Sequence, residues 1–230
     1  MFPLSLQEMN PQFLLTADGS HTLYLKELDE TYHSRNGALQ ESLHIFIGAG
    51  LHEILKTKQR IRIMEIGFGT GLNAILTFME TLKLNFKCSY CAVEATPLPF
   101  SLINELNYLD WMDEETKRIF KMLHACESGQ TVELSGGMEF CCHHFKLEDF
   151  NCSPPGFDLV YFDAFAPEKQ PEMWTEEVFK KIYDCMNDGG MLVTYSSKGD
   201  VKRTLRKVGF EVKRLEGPPG KKHIVRAVKN

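Results

Sequence analysis

Apolar positions along the chain change their period several times, and each change marks an element. Ile61, Ile63, Met64 and Ile66 form a short apolar run that predicts a buried strand. Tyr90–Val93, Phe157–Phe162 and Met191–Tyr195 read the same way. Between them, Leu72, Ile75, Leu76 and Met79 recur at helical spacing, predicting a helix over Leu72–Leu84. Further helices are predicted over Pro97–Leu109, Trp111–Cys126, Glu176–Met186 and Val201–Val208. Gln130–Phe145 alternates weakly around Gly136-Gly137, like a hairpin or two short strands. Phe210–Leu215 and His223–Val228 are strands joined by the turn Gly217-Pro218-Pro219-Gly220, so this last pair must be antiparallel. Upstream, Asp18-Gly19 signals a small N-terminal hairpin, and Leu39, Leu43, Phe46, Ile47, Leu51 and Leu55 predict a helix over Ala38–Leu55, interrupted near Gly48-Ala49-Gly50. Strands alternating with helices predict an α/β fold, an open and mostly parallel sheet with helices on both faces. Residues 1–58 are expected to be a hairpin-and-helix extension packed on a core of residues 59–230.

Composition narrows the class. The chain has 230 residues, 43% hydrophobic and 25% charged, enough for one substantial core. No apolar run approaches the roughly 20 residues that span a bilayer, and no basic-then-apolar leader opens the chain, so a cytoplasmic protein without membrane contact is expected. Seven cysteines without framework spacing point to thiols in a reducing compartment. Cys141-Cys142-His143-His144 resembles a metal set, but adjacent strand positions alternate faces and cannot close on one ion, so no metal is expected.

The net charge of −5 hides an asymmetry. Tyr195–Asn230 holds eleven Lys or Arg against three acidic residues, +8, which leaves −13 for Met1–Thr194. One basic face could meet a polyanion; the alternative is a solvated basic helix and hairpin with no partner. Arg203, Lys207, Lys221 and Lys222 are the candidate contacts.

Two stretches carry candidate chemistry. Gly67, Gly69 and Gly71 follow the strand Ile61–Ile66 and precede a helix, the layout in which a nucleotide-like ligand approaches the backbone. Glu65, just before them, would repel a pyrophosphate and suits a ligand bearing positive charge, such as the amino group of S-adenosylmethionine. Glu94, after the next apolar run, stands where a carboxylate can receive a ribose diol. The second stretch, Asp163-Ala-Phe-Ala-Pro-Glu-Lys-Gln-Pro-Glu-Met-Trp-Thr, leaves the carboxyl end of a central strand. Phe165, Pro167, Met173 and Trp174 offer a stiff apolar surface beside Asp163, suited to a flat substrate. Equally, Phe165 and Trp174 could be core residues packing the loop down, with Asp163 a cap. Thr175 reads as the N-cap of the following helix. No Ser-His-acid set or Gly-Lys-Ser/Thr phosphate motif appears.

Glu65-Ile-Gly-Phe-Gly-Thr-Gly-Leu-Asn together with Asp163–Thr175 closely resembles the methyltransferase part of the bifunctional bacterial enzymes that complete 5-methylaminomethyl-2-thiouridine at the tRNA wobble position. The resemblance spans most of the chain, including Asp18-Gly-Ser, Tyr32, Ser34 with Gly37, Gly189-Gly190 and Gly217–Lys222. It implies a Rossmann-like class I methyltransferase with a seven-stranded sheet whose last strand is antiparallel. It also implies S-adenosyl-L-methionine as cofactor, tRNA as partner, and methyl transfer to the exocyclic amine of 5-aminomethyl-2-thiouridine. Carried onto this chain, Glu65, Gly67, Phe68, Gly69 and Gly71 would surround the methionine end of the cofactor, with Asn73 just beyond. Glu94 would take the ribose hydroxyls and Asp149 the adenine amino group, although Glu148 and Asp149 are hard to rank. Asp163 and the Phe165–Trp174 loop would face the methyl group and the base. The family's second, flavin-dependent domain has no counterpart in residues 1–230, so no FAD is expected in this chain, which would act alone or beside a separate enzyme that supplies the primary amine.

Two rivals stand beside this reading. One keeps the fold and transfers a methyl or aminopropyl group to a small amine or polyamine. The other is a catalytically silent RNA-binding or scaffold protein.

Overall fold

In the computed structural model, which describes residues 11–152 and 155–230, β1 (Gln12–Leu15), β2 (His21–Leu25) and β3 (Glu30–Thr31) form a small antiparallel sheet. The Asp18-Gly19 turn between the first two is closed by Asp18 Oδ1, which accepts the Ser20 backbone N–H at 3.0 Å. The first ten residues of the expected 1–58 extension lie outside the described residues. Next come α1 (Ala38–Ser42), a π-helical stretch Leu43–Leu51 and α2 (His52–Ile54). The expected interruption at Gly48-Ala49-Gly50 is absent; the helix widens there instead of breaking. A Cβ on Gly50 would stand 3.0 Å from Val193 Cγ2, so the missing side chain lets the helix lie close on the sheet. Ile45, Phe46, Ile47 and Leu51 accordingly share one core cluster with Ile61, Ile63 and Tyr161.

The main sheet is built from β4 (Arg60–Ile66), β5 (Lys87–Val93), β6 (Thr131–Leu134), β7 (Met138–His143), β8 (Phe157–Phe162), β9 (Met186–Thr194), β10 (Phe210–Glu216) and β11 (His223–Lys229), in the order β10-β11-β9-β8-β4-β5-β7-β6. It has eight strands, one more than expected. The extra strand is β6, which pairs antiparallel with β7 across the turn Ser135–Gly137 and extends the edge of the sheet. β4, β5, β7, β8 and β9 pair parallel with their neighbours in that series, whereas β11 runs antiparallel to both β9 and β10.

β4 shows why helices must cover both faces. Its side chains alternate, so Ile61 and Ile63 join one core cluster while Met64 and Ile66 join the other. α3 (Leu72–Leu84), α4 (Phe100–Glu105) and α5 (Glu114–Ala125) contribute to the first cluster; α6 (Glu176–Cys185) and α7 (Gly199–Val208) to the second. α5 and α6 begin at capping side chains, Asp113 accepting from Thr116 N and Thr175 from Val178 N.

The register then positions the site. Ile66 of β4 pairs with Val93 of β5 on one side and with Phe162 of β8 on the other. Gly67, Glu94 and Asp163 are the next residues of those three strands, so they emerge together where the chain order of the strands reverses.

Candidate active site

A cavity of about 710 Å³ opens at these carboxyl ends, a size typical of small-molecule sites. Its floor is the turn after β4. Gly67 N donates to Val93 O at 3.0 Å and Asp163 N to Ile66 O at 2.9 Å, which ties the turn to both neighbouring strands. Glu94 receives Gly69 N on Oε2 at 2.9 Å and Thr96 N on Oε1 at 2.8 Å. Burial raises its carboxyl above the usual range, and these backbone donors oppose the rise. Each carboxylate oxygen retains acceptor capacity for a hydroxyl.

Asp163 is partly exposed at the cavity wall. Desolvation pushes its pKa up to about 8, and the negative charge of Glu41 adds to the rise. The hydrogen bond from Asn73 and the charge of Lys221 act in the opposite sense. Asn73 Nδ2 lies 2.9 Å from Asp163 Oδ2 and 3.0 Å from Glu65 Oε1, so one amide orients both acids.

The cavity brings together Gly67, Phe68, Gly69, Glu94, Asp163, Phe165, Met173 and Lys221 of the residues expected from sequence. Others are placed elsewhere. Glu65 is fully buried and does not line the cavity; its strand parity, that of Ile61 and Ile63, points it toward α3, where burial raises its pKa well above the usual carboxylate range. Gly71 is also out of reach, since its missing Cβ makes room for His124 and the Phe68 ring rather than for a ligand. Asn73 stands behind the wall, acting through Asp163. Asp149 is exposed and off the cavity, while its neighbour Glu148 lines it. Pro167 is half-buried outside the lining.

Trp174 is a core residue. It is 7% exposed, donates its indole N–H to Phe165 O at 2.8 Å, and packs against Phe162, Phe179 and Tyr195. It therefore pins the loop down and presents no stacking face. The proposed phosphate contacts are also rearranged. Arg203 pairs with Asp200, Lys207 pairs with Glu176, and Lys221 turns into the cavity beside Glu41; Lys222 is exposed.

Residues 32–41 supply a further wall, where sequence reasoning named Tyr32, Ser34 and Gly37 only through the family resemblance and predicted no contacts. The Tyr32 ring meets Phe165 at 5.2 Å and fills the space a Cβ on Gly69 would need. His33 Nε2 bonds Thr70 Oγ1 at 2.7 Å, and burial pulls its pKa down to about 4, so it is a neutral clamp on the glycine turn at ordinary pH. Among the described residues, no three His, Cys, Asp or Glu side chains gather as a metal set, and no helix is long and apolar enough to cross a membrane.

The profile of a family described as S-adenosyl-L-methionine-dependent methyltransferase matches residues 110–230, more than half of the chain. The chain is similar to the tRNA 5-methylaminomethyl-2-thiouridine biosynthesis bifunctional protein MnmC of Cupriavidus necator, 29% identical over 229 residues, covering 95% of this chain and 34% of that protein. It is 30% identical over 214 residues to the protein of the same name from Nitrosospira multiformis, covering 85% of this chain and 33% of the other. The crystal structure of MNMC2 from Aquifex aeolicus matches with a TM-score of 0.78 at 26% identity, covering 97% of this chain and 71% of that one. The chain thus spans about a third of the length of these bifunctional relatives.

Proposed function

The chain belongs to the S-adenosyl-L-methionine-dependent methyltransferase family, and from that premise we propose that it methylates the exocyclic primary amine of 5-aminomethyl-2-thiouridine at the wobble position of tRNA. The observation that carries the reading is Asp163, a partly exposed carboxyl in register with the glycine turn, beside Phe165 and Met173. The relatives' names supply the substrate class. We read residues 1–58 as an extension on the core 59–230, and the setting as cytoplasmic, beside a separate enzyme that supplies the amine.

The residues present fit the cofactor. Gly67 and Gly69 present backbone to the cavity floor, where their missing side chains also admit the Asp163 carbonyl and the Tyr32 ring, and Glu94 offers carboxylate oxygens for a diol. S-Adenosyl-L-methionine supplies a methyl carbon already activated by its sulfonium, so the protein must align, desolvate and manage one proton. The aminomethyl nitrogen arrives largely as an ammonium. Asn73 holds Asp163 Oδ2, which leaves Oδ1 to orient that nitrogen and take its proton. An acceptor raised to about 8 is matched to this task near neutral pH. Phe165 and Tyr32 provide the aromatic surface for an unstacked base.

Incubation with labelled S-adenosyl-L-methionine and unmodified tRNA, aminomethyl-bearing tRNA or polyamines, followed by nucleoside analysis, tests the reading. Label in 5-methylaminomethyl-2-thiouridine supports it; label in polyamine alone replaces it with the small-amine rival.

Two further outcomes are expected. Glu94→Ala should weaken S-adenosyl-L-methionine binding by about 1–3 kcal/mol, the loss of charge-assisted hydrogen bonds, in a folded protein. Unchanged affinity by calorimetry removes Glu94 from the site. For the RNA face, Lys221 belongs to the cavity, which leaves the exposed Arg203, Lys207 and Lys222, to which Arg206, exposed on the same helix α7, is added. Changing these four to Gln should weaken binding of every tRNA alike and flatten log affinity against log salt by up to about 0.9 per lost phosphate contact. Identical slopes in anisotropy titrations would defeat it, and the internal pairs of Arg203 and Lys207 make their share the smaller one.

A further inference from the structure

Glu41 is a buried carboxylate that the scheme above leaves without a task. Its side chain is 8% exposed, and Oε1 accepts the Ser34 backbone N–H at 3.2 Å. Oε2 has no hydrogen-bond partner, although the residue lines the cavity. The cation beside it is Lys221, whose Nζ lies 3.0 Å from Oε2 in ionic contact without hydrogen-bond alignment. The same Nζ sits 4.9 Å from the centroid of the Tyr195 ring. Tyr195 is itself fixed by donating its hydroxyl to Ala164 O at 2.8 Å, next to Asp163. The cavity therefore holds one carboxylate and an aromatic face in contact with one primary ammonium, with the Asp163 carboxyl in the same lining, and that ammonium belongs to the protein.

We propose that Glu41, Asp163 and Tyr195 form a primary-ammonium subsite in which Lys221 is a resident occupant, displaced when the amine of the substrate binds. The proposal rests on the reading that the substrate is a primary amine. An ionised oxygen buried without a hydrogen bond is costly, so some cation must compensate Glu41 when no substrate is present. The tip of Lys221 has the charge and shape of an alkylammonium, and an aromatic face suits either one. Its flexible stem and 27% exposure let it withdraw toward solvent without unfolding its turn. Because a resident occupant reduces the fraction of sites open to ligand, it lowers the apparent affinity for the incoming amine. It also excludes neutral analogues, since they cannot compensate Glu41 after Lys221 leaves.

The full chain saturated with S-adenosylhomocysteine can be titrated with n-butylammonium chloride, with butan-1-ol as the neutral control. Lys221→Met should bind butylammonium about tenfold more tightly than wild type. Glu41→Gln combined with Lys221→Met should lose that gain, and butan-1-ol should respond to neither change. If Lys221→Met does not fold, Lys221→Gln keeps a donor for Glu41 and should show the same direction. With aminomethyl-bearing tRNA, KM should fall in the Lys221 variant. A Lys221 that serves a phosphate would instead raise KM. Unchanged butylammonium affinity on removing Lys221, or a gain that survives Glu41→Gln, overturns the proposal. Absence of methyl transfer to tRNA by wild type would count against the RNA substrate alone, because the butylammonium titration needs no RNA.

Discussion

Asp163→Asn is expected to lower single-turnover methylation of aminomethyl-bearing tRNA by tenfold or more, with S-adenosyl-L-methionine affinity changed by less than about threefold. The substitution keeps the shape of the side chain and removes its ability to accept a proton. The wild-type rate should rise with pH through about 8, where Asp163 ionises, and the variant should lack that component. The same shift has a sign for stability. The folded protein raises this carboxyl from 3.8 to about 8, so between those values the folded state keeps a proton that the unfolded chain releases. Stability contributed at this residue therefore falls as pH rises across that window. Asp163→Asn should accordingly melt like wild type below about pH 4 and at a higher temperature than wild type at pH 9. A variant that methylates at the wild-type rate would take the carboxylate out of the chemistry and leave alignment to carry it.

The paired outcome, slower and more stable, separates a chemical role from a packing role. A residue that merely held the loop would lose stability when its hydrogen bond to Asn73 changed. Asn73 contributes differently. Its amide joins Asp163 to Glu65, whose carboxyl burial holds well above the usual range. Glu65 thus belongs to the support of Asp163, behind the wall, and not to the lining.

How much of this was legible follows from the range of the interactions involved. Periodicity located β4, α3, β8 and α6, because alternation and helical spacing are local consequences of burial. The weak alternation around Gly136-Gly137 was a genuine hairpin, and counting it as a sheet edge accounts for the eighth strand. Glu94 and Asp163 were recognisable because both follow apolar strands, and strand ends gather by register. Trp174 was ambiguous from sequence, since an aromatic residue in a loop can stack on a ligand or pin the loop; its indole N–H to Phe165 O decides for pinning. Lys221 looked like part of a basic surface because charge counting has no direction. Its partner Glu41 lies in a different part of the chain, on α1, and no local pattern connects the two. The same holds for Tyr32 and His33, whose contacts with Gly69 and Thr70 join residues 37 positions apart in the chain and exist only in the folded protein.

The glycine turn permits the sharpest steric test, through two glycines with similar backbone angles and different surroundings. Gly67 has φ +87, and a Cβ there would stand 2.6 Å from Asp163 O and 3.1 Å from its carbonyl carbon. Both obstacles are backbone, and that backbone is held by the bond from Asp163 N to Ile66 O. Gly67→Ala must therefore push the β4 turn away from β8, at a cost of about 2–4 kcal/mol from the positive φ and the overlap together. Because Glu94 is tied to Gly69 N, the displacement reaches the cofactor side as well as Asp163. S-Adenosyl-L-methionine affinity should fall at least about tenfold in whatever fraction remains folded, since misplacing a preformed site forfeits its contacts. Gly189 supplies the control. Its φ is +75, and nothing lies within 4 Å of a Cβ built on it. Gly189→Ala should cost only the left-handed backbone strain, about 1 kcal/mol, and leave cofactor affinity as in wild type. Denaturant unfolding measures the first quantity and calorimetric titration the second. Equal affinities for the two variants would mean that the turn can move without consequence and that Gly67 is present for folding alone, whereas loss confined to Gly67→Ala identifies its contact with the Asp163 backbone as the joint between cofactor floor and reacting carboxyl.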